Sequence, residues 1–154
     1  MEKHPVQKFI VRTLVKQAIT FEVQSIDFYQ QAANQVVMEP NKILLLSLAE
    51  EEQNHKLKLE QFLSGDFHEL LEVHLPQEKL DLSIDSHYLH QKIDDTWSAK
   101  QILELALMRE KASYDFYLLL SQKTKIHSAK QVFLFLAEQE QGHVQKLKSK
   151  LAAI

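Results

Sequence analysis

Leu48-Ala-Glu-Glu-Glu-Gln-Asn-His55 and Leu136-Ala-Glu-Gln-Glu-Gln-Gly-His143 are two copies of one pattern. In each, Glu and His stand three residues apart inside a row of apolar residues. The first row reads Leu45, Leu48, Glu52, His55, Leu59, Phe62, and the second Phe133, Leu136, Glu140, His143, Leu147, Leu151. Steps of three and four mark one face of an α-helix, the face that turns toward a core. Two carboxylates and two imidazoles therefore occupy core positions.

Upstream of each copy lies a second matching stretch. Glu22-Val-Gln-Ser-Ile-Asp-Phe-Tyr29 aligns with Glu110-Lys-Ala-Ser-Tyr-Asp-Phe-Tyr117, and the shift from Glu22 to Glu110, 110 − 22 = 88, holds without a gap from 14–59 to 102–147. Over those 46 positions 16 are identical, well beyond shared helical composition, so the halves read as a duplication. Each half holds two helical stretches. Helix 1 is expected from Val6 to Val37, stopping before Glu39-Pro40 because a residue preceding proline disfavours helical geometry. Helix 2 is expected from an Asn41 N-cap to Ser64-Gly65, where glycine can close the helix in a left-handed turn. Ser98 with Gln101 forms a capping box for helix 3, which runs to Gln122, and helix 4 starts between Ile126 and Ser128. The long stretch 66–97 is a crossover that sets helices 2 and 3 parallel, and Leu70, Leu71, Val73, Leu75, Leu80 and Leu82 within it suggest packing on the bundle or on a partner. The expected architecture is an all-α, antiparallel four-helix bundle in one domain, built from hairpins 6–64 and 98–152.

Helix 1 carries Val15, Ala18 or Ile19, Glu22, Ile26 and Tyr29 on its apolar row; helix 3 carries Leu103, Leu107, Glu110, Tyr114 and Tyr117. Each thus adds one inward glutamate. Four buried carboxylates would cost several kcal/mol apiece without a counter-charge, and no Lys or Arg lies on these rows. Two divalent cations resolve the conflict: Glu52 and Glu140 as bridges, Glu22 with His55 and Glu110 with His143 as terminal ligands. Oxygen-rich ligation with one imidazole per metal suits iron, or manganese, better than copper or structural zinc. Tyr29 and Tyr117, on the inward face, are candidates to hydrogen-bond a ligating carboxylate. The candidate catalytic set is Glu52, Glu140, Tyr29 and Tyr117. Asp27 and Asp115 repeat but sit off that face, and Glu50, Glu51 and Glu138 read as surface charges. His68, His74, His87 and His90 in the crossover read as ordinary surface histidines, and Gly142 hints at close packing or access beside the site.

The remaining composition narrows the classes. With only 2 Gly and 3 Pro in 154 residues there are few turns, which excludes a sandwich, a barrel or a Rossmann sheet. A formal charge of −3 with scattered basic residues offers nothing to nucleic acid or an anionic membrane. The absence of cysteine excludes disulfides, iron–sulfur clusters, thiolate zinc and a cysteine nucleophile. No run approaches the roughly 20 apolar residues of a membrane span, and Met1-Glu2-Lys3-His4-Pro5 lacks the apolar core of a signal peptide. A cytoplasmic protein is expected.

On the inward Glu followed seven residues later by Tyr, and then Leu-Ala-Glu-x-Glu-x-x-His, both present twice, the chain resembles the ferritin-like di-iron carboxylate superfamily, most closely the di-iron domain of rubrerythrins. The resemblance covers about 14–63 and 98–151. It implies iron ligands at Glu22, Glu52, His55, Glu110, Glu140 and His143 and an oxidoreductase that reduces hydrogen peroxide or dioxygen, with ferroxidase-type iron binding or storage as the alternative. Rubrerythrins usually add a four-cysteine rubredoxin domain, absent from this sequence, so the electron donor is expected to be a separate protein. They also commonly carry another glutamate one turn after the third-helix ligand, where this chain has Ser113. Iron-storage ferritins generally have a single Glu-x-x-His and a fifth helix, so a homodimer is expected rather than a cage.

Overall fold

Glu39-Pro40, the pair expected to end one helix, begins the next. The computed structural model describes residues 5–66 and 93–154. Among these described residues there are four helices: α1 Pro5–Gln35, α2 Glu39–Asp66, α3 Ala99–Lys123 and α4 His127–Ala152. Proline is harmless in a first turn, where its missing N–H has no intrahelical partner to lose. The Met38 carbonyl accepts from the Asn41 and Lys42 amides at 3.1 Å, so Asn41 lies inside the helix, buried, and is not its N-cap. At the other end α2 continues through Gly65 to Asp66 with no left-handed residue, contrary to the expected glycine stop.

The α3 start matches the sequence. Ser98 Oγ accepts from the Gln101 amide at 3.2 Å, and Gln101 Oε1 accepts from the Ser98 amide at 2.8 Å. Two amides left over at a helix start are thereby satisfied. A short turn through Thr124 and the buried Ile126 then leads into α4, with the Thr124 amide donating to the Leu120 carbonyl at 3.0 Å.

Side-chain pairs give the helix directions. Glu22 meets Tyr117 while Tyr29 meets Glu110, so residue numbers rise on α1 as they fall on α3. Likewise Glu51 meets Lys146 while Lys58 lies over Phe135, so α2 and α4 are antiparallel. With α1–α2 and α3–α4 packed as hairpins, α2 and α3 are parallel, as the crossover requires. The crossover leucines and His68, His74, His87 and His90 fall outside the described residues.

The core comes in two apolar layers. One gathers Val11, Leu14, Val15, Ala18, Leu59, Tyr117, Leu120 and Phe133; the other gathers Tyr29, Ala32, Ala33, Leu45, Leu48, Leu103, Ala106 and Leu147. Every helix passes through both. Between them, at mid-height, each helix presents its polar residues inward. The result is an all-α four-helix bundle with a polar slab between apolar caps.

Candidate metal centre

The mid-height slab assembles Glu22 from α1, Glu52 and His55 from α2, Glu110 from α3, and Glu140 and His143 from α4, all buried. They form two clusters. Glu22, Glu52, His55 and Glu140 make one, and Glu52, Glu110, Glu140 and His143 the other, the candidate ligand atoms of each lying within 4.8 Å of one another. Glu52 and Glu140 belong to both clusters; each shares a helix face with the His three residues on, and the facing helix brings it to the other His as well.

Both imidazoles turn Nδ1 toward the carboxylates. His55 Nδ1 lies 2.9 Å from Glu140, 3.0 Å from Glu52 and 3.7 Å from Glu22. His143 Nδ1 lies 3.2 Å from both Glu52 and Glu110 and 3.7 Å from Glu140. Yet Glu22 Oε2, Glu52 Oε1 and both oxygens of Glu140 have no aligned hydrogen bond, the close imidazole contacts lying off the required direction. Buried oxygens without donors are costly, and a divalent cation accepts lone pairs without demanding a donor direction. The donor set thus fits two cations of the oxygen- and imidazole-binding type.

Burial and the crowding of charges shift the proton affinities of these groups strongly. Burial, with Glu52 beside it, raises Glu22 well above the ordinary carboxylate range. Burial and the adjacent Glu110 lift Glu140 to about 8. Burial would lift Glu110 too, but the neighbouring Glu140, His143 and Tyr29 hold it at about 2. Burial would depress His55, yet Glu140, Glu22 and Glu52 around it raise it to about 12; Glu110, Glu140 and Glu52 raise His143 likewise. Metal binding at such a site releases these protons.

The two tyrosines exchange partners between halves. Tyr29 Oη donates to Glu110 Oε1, and Tyr117 Oη donates to Glu22 Oε1. Burial and the adjoining glutamates push both phenols well above their usual range, so they stay neutral donors. Each fixes one oxygen of a terminal carboxylate and leaves the other for the cluster.

Four features depart from the sequence reading. Glu51, read as a surface charge, contacts His143 Nε2 and accepts from Lys146 Nζ at 2.8 Å. Arg109, off the apolar rows but buried, donates to Ser25 Oγ at 3.4 Å and lies 4.5 Å from the Phe28 ring, setting a cation behind the glutamates. Gly142 is exposed, and a Cβ there would meet nothing within 4 Å, so it marks no close packing. On α3, Ala106 and Ser113 are more deeply buried than the expected Leu107 and Tyr114.

Comparison with known proteins bears on this arrangement. The family model described as Rubrerythrin matches residues 13–151. A solved structure, a hypothetical protein from Pyrococcus furiosus, is similar with a TM-score of 0.69 and 24% identity, over 92% of this chain and 88% of that one. No curated protein matches.

Proposed function

The chain belongs to the rubrerythrin family of ferritin-like di-iron domains, and from that premise we propose that it is a non-haem di-iron oxidoreductase that reduces hydrogen peroxide or dioxygen. The observation that carries this reading is the sharing of Glu52 and Glu140 between two buried clusters, each completed by one Glu and one His. The chemistry supplied there would be two electrons from a ferrous pair to an O–O bond, with polarisation of the bound oxygen.

The chain's own residues do the rest. Glu52 and Glu140, members of both clusters, would hold both metal positions and keep them adjacent. Tyr29 and Tyr117 orient the terminal carboxylates. The apolar layers above and below keep water from the slab, which strengthens every charge interaction inside it. Electrons for the next turnover would come from a separate donor protein.

The test is anaerobic loading with ferrous iron, desalting and elemental analysis, followed by peroxide consumption under single-turnover conditions. One iron for each of the two clusters and rapid peroxide loss are expected, both abolished in the Glu52→Ala, Glu140→Ala double variant. A wild-type chain that retains no iron overturns the reading. Two irons that oxidise in air while peroxide is left untouched would assign the site to ferroxidase-type iron handling instead.

A further inference from the structure

The duplication allows the two halves of the centre to be compared position by position. Glu22 and Glu110, Ser25 and Ser113, Tyr29 and Tyr117, Glu52 and Glu140, and His55 and His143 are identical pairs. Glu51 is not: its counterpart, 88 positions on, is Gln139. Glu51 reaches the Nε2 edge of His143, whose Nδ1 edge faces Glu52 and Glu110 at 3.2 Å. Its other oxygen is held by Lys146 at 2.8 Å. A chain of contacts thus runs from Lys146, 49% exposed, through Glu51, 31% exposed, to a ring side chain 1% exposed.

His55 has no such support among the described residues. Every acidic oxygen within ion-pair reach of it faces Nδ1. Lys58, the counterpart of Lys146, lies over the Phe135 ring at 4.4 Å and so serves a different contact. Arg109 also breaks the pairing, standing opposite Phe21, but its charge acts on Glu110 and on Glu52. Through Glu52, a member of both clusters, its charge is felt at both positions, whereas Glu51 touches one ring.

We propose that Glu51 is a positioning residue for His143 that makes the two metal positions unequal, so that the Glu110/His143 position fills first and more tightly than the Glu22/His55 position. A carboxylate accepting from Nε2–H fixes the tautomer with the Nδ1 lone pair aimed inward, locks the ring plane and makes the imidazole a better donor to a cation. The neutral Gln139 amide offers His55 no charged acceptor. This rests on the di-metal reading above.

The test is a calorimetric and visible-absorption titration of the metal-free protein with cobalt(II) alone, under argon. Wild type should show two separable steps. In Glu51→Ala the tighter step should weaken about 10–100-fold with the other unchanged. Glu51→Gln, which keeps an acceptor and loses the charge, should fall between, and it preserves the test should the alanine variant fold poorly. Gln139→Glu should tighten the weaker step and draw the two together. Two indistinguishable wild-type steps, or Glu51 variants that leave both steps alone or weaken both equally, overturn the proposal while leaving the di-metal reading intact. A wild-type chain that takes up no cobalt overturns both.

Discussion

Seven residues of helix span about 10 Å, too far for a phenol to reach back to the glutamate of its own helix. Tyr29 and Tyr117 therefore find the glutamates of the antiparallel neighbour, where the same spacing brings each level with the other. The face of both tyrosines was legible in the sequence, with a bond to an inward carboxylate as one of two readings; the partner was not, since it depends on the α1–α3 register. Glu51 was missed for a related reason. It lies one residue from Glu52, about 100° round the helix, and only the placement of α4 puts His143 on that side. Removing the phenol in Tyr29→Phe leaves Glu110 Oε1 buried without its donor. Metal-free stability should fall by about 1–3 kcal/mol, read from urea unfolding under chelator, and Tyr117→Phe should match it through Glu22.

Helix existence and helix faces were legible because apolar steps of three and four persist for many turns, and the Ser98 capping box was legible because both of its partners are local. Helix ends that depend on context were not. Asn41 has the chemistry of an N-cap, but the chain had already turned at Met38, and Gly65 was not required to leave the right-handed region. Gly142 shows the same limit, since a glycine beside a ligand suggests either crowding or access, and only the open space in the structure decides against crowding. Its flexibility is thus a removable cost. Gly142→Ala should stabilise the protein by about 1 kcal/mol, seen as a higher midpoint in urea with an unchanged slope, and a destabilised variant would point to a contact at that position.

Four carboxylates, two imidazoles and their shared protons tie the stability of the whole bundle to pH. Glu140 is raised from 4.5 to about 8, so its favourable contribution is complete below 4.5 and is lost as pH climbs through about 8. His55, raised from 6.5 to about 12, acts with the same sign over a higher window. Glu110, lowered to about 2, contributes above 4.5 and loses that contribution as pH falls toward 2. The melting temperature of the chelated protein should therefore decline from about pH 5 to about pH 9. Cations that replace the protons should raise and flatten that profile, because binding to the folded form alone stabilises it. Parallel thermal scans with chelator and with ferrous iron check this, and a metal-free profile that rises with pH would contradict the proton arrangement. The pairing of halves also bears on how the molecule comes into being. Each cluster draws on both hairpins: Glu22, Glu52 and His55 wait for Glu140, and Glu110, Glu140 and His143 wait for Glu52. An N-terminal fragment, or a chain still in synthesis before residue 140, can complete neither cluster. Uptake of metal would thus certify that both hairpins are made and docked, a stamp of maturity that no copy lacking Glu140 and His143 can carry.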